Sequence, residues 1–342
     1  MLQLANKTPF AANLFLLPDQ QGIDTVYVVI KATFTLLPSV AVAENQVAVC
    51  LADEYVGSPG QSSLLYASEL HLGKPGTDIA LLGHAHPQRG QAEELIVSLS
   101  VAGQAHDMLV CGDRQWTAFG GISRPQPFEA MPLIFERAYG GSQGRDAETF
   151  LAEEYNPVGR GFVGNRRAAE LKGQPLPNLE DPRHRLGSIG DRQTPTCFAF
   201  VAPSWLPRRA FAGTYDESWR RQRCPYLPSD FDPRYFQAAA QKLALPAPLV
   251  GGEPCSVSGV SREGVLRFTI PRCQWHIEIR VAGKVETPQA RLETLLIEPD
   301  HNRFCLSYRA ELACDRQPLK VDQVTVSVHR LEHGAAVAPG AA

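Results

Sequence analysis

Asp24-Thr25-Val26-Tyr27-Val28-Val29-Ile30-Lys31-Ala32-Thr33-Phe34-Thr35-Leu36 is the stretch that decides the fold class. In its second half Ile30, Ala32, Phe34 and Leu36 alternate with Lys31, Thr33 and Thr35. A period of two is the signature of a half-buried strand. Lys31 falls on the polar side and reads as a solvated lysine. Working outward, Gln46–Leu51 reads as a second strand. Glu94–Val101 and Ala105–Cys111 read as a hairpin about Ala102-Gly103-Gln104. Strand patterns return at Val265–Ile270, His276–Val281, Leu292–Ile297, Phe304–Leu312 and Val324–His329, short and turn-bounded as in a sandwich. The expected fold is mainly β: sandwich-like antiparallel sheets from N- and C-terminal strand sets, with a loop-rich middle and a few short helices. Residues 1–332 form one compact domain in this reading. Strand-rich 1–135 and 255–330 flank a loop and short-helix region at 136–254, and 333–342 is expected to be a disordered tail.

Composition narrows the function classes. The chain has 28 glycines and 27 prolines among its 342 residues, spread along it, which breaks up long helices and favours ordered loops. A formal net charge of -3 gives no general pull toward nucleic acid or anionic membrane. No run of about 18 apolar residues is present, so no membrane insertion is expected. The N-terminus lacks a basic region before an apolar stretch, which argues against a signal peptide. None of the 8 cysteines forms a C-x-x-C pair. Reduced thiols in a cytoplasm are the expectation.

Trp205–Phe236 is the densest candidate for binding. It mixes aromatic rings with arginines, a composition that binding surfaces use for large contacts at low entropic cost. Trp205, Arg208, Arg209, Tyr215, Trp219, Arg220 and Arg234 are the candidate partner-binding residues. The plainer alternative is that the rings fill a core and the arginines are solvated. Thr214 followed by Glu217 reads as a capping box opening a short helix that Cys224-Pro225 ends. Asp232-Pro233 reads as the start of a second helix, running through PRYFQAAAQKLAL to Pro246.

Catalytic candidates are sparser. Gly73-Lys74-Pro75-Gly76-Thr77-Asp78 lacks the order of a phosphate-binding loop, and a strand follows it. His84 and His86 lie on one face of a strand and are weak candidates to share a metal, with Asp53 as a possible partner. Glu136 with Asp216 is a possible carboxylate pair for a hydrolase. No local spacing brings either set to one point, and no cofactor is indicated. Exposed Trp and Tyr also suit a carbohydrate-binding sandwich module.

One ordered set of motifs goes further. It runs N-x-TPF (6–10), V-x-KATF (29–34), ADEY (52–55), KPGTD (74–78), GHAH (83–86), GDR (112–114), NPVGRGF (156–162), LPNLEDP (176–182), AGTYDE (212–217) and DFD (230–232). This order, over about residues 4–330, resembles a bacterial family of unassigned domains encoded beside type VI secretion genes. The resemblance implies a cytoplasmic adaptor or chaperone that binds a secreted effector, or its PAAR or VgrG spike carrier, and loads it. It implies no catalytic residues. Two stretches less marked by motifs, Ser142–Glu154 and Arg183–Gln193, are the places expected to select a particular cargo.

Overall fold

The computed structural model describes residues 3–144, 148–314 and 320–332; the expected tail at 333–342 lies outside them, as do residues 145–147 of the Ser142–Glu154 stretch expected to select a cargo. The mainly β expectation holds. At the centre is a sheet in the order Ala11–Pro18, Asp24–Thr35, Arg303–Ala313, Arg291–Glu298, Asp78–Leu81. Asp24–Thr35 pairs antiparallel with Arg303–Ala313 along its whole length, from Thr25↔Ala313 to Thr35↔Arg303. The two ends of the chain are thereby knitted into one sheet. A second, antiparallel sheet runs Leu179–Glu180, Gln104–Cys111, Glu94–Val101, Pro254–Ser258, Leu266–Thr269. A third joins Gln3–Asn6, Val321–Glu332, Arg272–Val281 and Lys284–Glu286. Phe268 of the second sheet stacks on Phe304 of the first at 4.6 Å, inside one large core.

The hairpin forms as read, with register Val101↔Gln104. Its two turn residues, Ala102 (φ 52) and Gly103 (φ 81), both take positive φ, which matches the twist of the paired strands. Three readings are corrected. Gln46–Leu51 is not a strand: the Gln46 amide instead bonds the backbone N–H and C=O of Thr33, at 2.9 and 3.0 Å, in place of a neighbouring strand. Lys31 is not solvated: it is 4% exposed, because both faces of the central strand are covered. The second helix is only a 3-10 turn, Pro233–Phe236. Asp232 does cap it, accepting from the Arg234 amide at 2.9 Å. The alanines beyond it are pulled into the core, where the Ala238 amide donates to Asp78 at 2.7 Å.

Candidate partner-binding surface

The Trp205–Phe236 segment divides into a buried root and an exposed crown. Trp205 is buried edge-on against Phe135, ring centroids 5.6 Å apart. Arg208 is buried too, donating to the carbonyls of Val201 at 2.6 Å and Tyr235 at 2.9 Å. These two candidates hold the fold and offer nothing to a partner; carbonyls that satisfy the guanidinium let it sit inside. Arg209 pairs with Glu154 at 2.6 Å, and Arg234 pairs with Asp232 while lying 4.2 Å over the Phe211 ring.

The crown is the helix Glu217–Gln222 and its flanks. Asp216, and not Thr214, is its cap, accepting from the Trp219 amide at 2.8 Å. Thr214 is taken by Asp230, at 2.7 Å between the two side chains. Tyr215 packs against Trp219 at 4.7 Å, and the Trp219 indole N–H donates to the Tyr226 carbonyl at 2.8 Å. Tyr215 and Tyr226 are 53% and 40% exposed, so two tyrosine rings meet solvent on a braced segment, with Trp219 half-buried against Tyr215. Arg220 and Arg221 stand beside them and share Glu217, at 3.4 and 3.8 Å. Arg223 ties the helix to the Asp19–Ile23 turn, donating to the Gln20 carbonyl at 2.6 Å.

A buried ionic network holds Phe236 and Ala238, at and just beyond the end of the segment. Lys74 donates to Asp78 at 2.8 Å and to Thr294 at 2.9 Å; Asp78 in turn holds the Ala238 amide. Glu293 takes the Lys74 amide at 2.9 Å and Arg309 Nε at 2.7 Å. A β-bulge between Leu292 and Thr294 leaves Glu293 unpaired in its strand and turns its side chain inward. Arg309 also donates to the Glu69 carbonyl at 2.7 Å, and the Glu69 carboxylate holds Lys31 at 3.0 Å. Burial works against the Lys31 ammonium, but Glu69 outweighs it and raises its pKa. His71 stacks on Phe236 at 5.3 Å and faces Arg309 at 3.1 Å through Nε2. Burial, with Arg309, Lys74 and Arg208 adding positive charge, drives its pKa well below the ordinary value. The neutral ring has one accepting nitrogen. Both of its nitrogens face donors, Nε2 the Arg309 guanidinium and Nδ1 the Gly73 amide, at 3.1 Å each, so a protonated ring would set a hydrogen against a donor on both sides.

KPGTD is thus a clamp, and GDR and LPNLEDP form another. Arg114 donates to Glu180 at 2.8 Å, and Asn178 donates to the Cys111 carbonyl and to Asp113 at 3.0 Å each. Sequence spacing gave no sign of the network, because its members run from Lys31 to Arg309 and meet only through sheet register.

Refusal of a proton by His71 has a consequence in mild acid. The unfolded imidazole titrates near ~6.5, and the folded one stays neutral far lower. Below about pH 6.5 the unfolded chain takes up a proton that the folded chain rejects, so stability falls as pH falls, by at most about 1.4 kcal/mol per pH unit. Urea midpoints between about pH 7.5 and 5.5 are expected to drop for the native chain and less steeply for His71→Gln. Equal slopes would remove His71 as the cause.

The catalytic candidates are engaged separately. Asp53 accepts from the Ser68 amide at 2.8 Å. Glu136 is held by Ser63, through the amide at 2.7 Å and the hydroxyl at 2.6 Å, while Asp216 caps its helix. His84 and His86 do share a partner, Asp300, whose two oxygens lie 2.7 and 3.7 Å from the rings. Among the described residues no group of three or more His, Cys, Asp and Glu side chains is arranged to hold a metal ion. No helix among them is long and apolar enough to cross a membrane.

No curated protein and no solved structure shows a significant match to this chain. A family model does match, from residue 21 to residue 309, across the central sheet, both clamps and the crown. On that span the chain belongs to the bacterial family described as "Uncharacterized protein conserved in bacteria (DUF2169)".

Proposed function

We propose that the chain is a non-enzymatic, cytoplasmic adaptor or chaperone that binds a type VI secretion effector, or its PAAR or VgrG carrier, and holds it for loading. The observation that carries this reading is the crown: Tyr215, Trp219 and Tyr226 on a segment whose two ends are tied to the core, by Arg208 and by the stacking of Phe236 on His71. Rings fixed before binding lose little entropy on contact, which is how hot-spot residues act. The motif order supports the secretion setting, and shielding a cargo's apolar segments would limit its aggregation before export.

Co-expression with the neighbouring effector and spike genes tests the reading. The native chain is expected to capture an effector or carrier and raise its soluble yield. Tyr215→Ala with Trp219→Ala is expected to weaken capture by about tenfold or more with only a small drop in the thermal midpoint, since neither ring lies in the core and the Trp219–Tyr226 hydrogen bond is lost near the surface. Absence of any complex with every neighbouring product would end the adaptor reading.

A further inference from the structure

Ala11–Pro18 closes the central sheet on one side and pairs with a neighbour only along its inner edge. Which of its groups face outward follows from the register. Thr33 turns its N–H and C=O to the Gln46 amide, on the side of Asp24–Thr35 away from Arg303–Ala313. Alternate residues of a strand share that direction, so Lys31, Val29, Tyr27 and Thr25 bond Ala11, Asn13, Phe15 and Leu17. The N–H and C=O groups of Ala12, Leu14 and Leu16 therefore face away from the sheet. The Leu14 amide agrees: it donates to the side chain beside it, Asn13 Oδ1, at 2.8 Å. No other hydrogen bond from a described residue reaches these outward groups. The edge is eight residues long, AANLFLLP, without a charge. Leu14 and Leu16 pack against the core, and Phe15 stacks on Tyr27 at 5.5 Å. The opposite end of the same sheet is closed, since the Leu81 amide donates to the Phe198 carbonyl at 2.9 Å and Asp78 bridges to Ala244. The outer strands of the other two large sheets carry charge, as at Arg267, Lys284 and Glu286, or are half as long or less. A long apolar edge with neither charge nor cover is a template for another strand.

We propose that this edge accepts an extended, uncharged segment of the bound partner protein as an added strand. The outward backbone groups of Ala12, Leu14 and Leu16 supply the hydrogen bonds, and Pro18, which has no N–H, ends the row. Leu14 and Leu16 on one face, with Phe15 and Leu17 on the other, favour apolar side chains in the added strand. The position of the edge says whose segment it is. Pro18 runs directly into the Asp19–Ile23 turn. There the Gln20 carbonyl accepts from Arg223 at 2.6 Å, and the Gln20 side-chain amide donates to the Phe231 carbonyl at 2.7 Å. Tyr226 lies against the same turn, its ring 3.4 Å from where a Cβ at Gly22 would stand. Edge and crown are thus continuous, and the protein that meets Tyr215 and Tyr226 is the one whose chain reaches the edge. The inference rests on the adaptor reading for the identity of the partner, and on the edge alone for strand addition.

The test titrates the full chain into a labelled peptide of alternating valine and threonine, N-methylated along one edge so that it cannot stack on itself. This peptide is expected to bind, and the same peptide N-methylated along both edges about tenfold or more weakly. Asn13→Ala releases the Leu14 amide and is expected to tighten binding about fivefold, a gain that no folding defect imitates. Leu16→Pro removes an outward donor without breaking the ladder to Asp24–Thr35, and is expected to weaken binding about tenfold. In the complex the Ala12 and Leu16 amides should gain protection from hydrogen exchange, while those of Asn13 and Phe15, already paired inward, change little. Equal binding of the two peptides, or no binding at about 1 mM, overturns the assignment. So does a native chain that sediments as a dimer and becomes a monomer on Leu16→Pro, because a second copy then fills the edge. Effector capture untouched by Leu16→Pro would leave the adaptor reading standing and the edge assignment refuted. Peptide binding as described without effector capture would do the reverse.

Discussion

Gly76→Ala is expected to destabilise the protein by about 3 kcal/mol or more, among the largest effects of a single added methyl. A Cβ at Gly76 would lie 2.2 Å from the Leu245 carbonyl oxygen and 2.5 Å from the Ala247 amide nitrogen. Both are backbone atoms, so no side chain can swing aside. Nor is the backbone free to retreat. Thr77 on one side accepts from the Leu245 amide at 2.9 Å, and its hydroxyl accepts from the Leu249 amide at 2.8 Å while donating to the Leu292 carbonyl at 2.5 Å. Opening the contact therefore breaks several buried hydrogen bonds at once. The thermal midpoint should fall by roughly 4 °C or more. Gly283→Ala is the control: its φ of 80 also disfavours a side chain, but nothing lies within 4 Å of the added methyl. That change carries only backbone strain of about 1–2 kcal/mol. Similar losses at the two sites would show that close approach at Gly76 is not what KPGTD supplies.

The same motif marks what could and could not be read in the chain. The central strand, the hairpin and the strands after residue 255 were legible because period-two alternation and turn residues are local signals. Lys31 was misplaced because alternation scores a lysine as polar; its acceptor, Glu69, is remote in sequence and reached only through the fold. Trp205 and Arg208 were misassigned to the surface for a related reason. An arginine next to a tryptophan looks the same in sequence whether water or two carbonyls satisfy the guanidinium. At Asp232 the cap was legible and the helix length was not. An alanine-rich run favours helix, but the buried Asp78 carboxylate takes the Ala238 amide and holds the chain out of it. The exposed crown was legible in composition alone, since aromatic rings beside arginines mark it without any knowledge of contacts. The cavity lined by Asp19, Phe236 and Glu311 was not. Its walls come from residue 19 to residue 313, and no stretch of sequence contains more than a part of it.

Glu293→Leu is expected to destabilise the chain by about 3–5 kcal/mol, the cost of stranding a buried charge. Glu293 is 3% exposed and Arg309 is 3% exposed, so water does not replace the lost carboxylate. Arg309 would keep its bond to the Glu69 carbonyl but lose the 2.7 Å carboxylate contact at Nε, and its Nη1 already has no hydrogen-bond partner. The Lys74 amide would be orphaned as well. Adding Arg309→Met should recover part of the loss, about 1–3 kcal/mol, because the double variant buries no unpaired charge and methionine refills the space beside Phe15 and Tyr27. Recovery stays incomplete, since the Lys74 amide and the Glu69 carbonyl are still left without partners. The damage should also have a location. With the network loosened, His71 and Asp78 hold the Phe236 ring and the Ala238 amide less firmly, so amide exchange at 231–240 should rise before that of the central strand. If the double variant is less stable than Glu293→Leu, the pair is not a coupled charge pair, and the 231–240 stretch must be held through Arg208 and the packing around Trp205 instead.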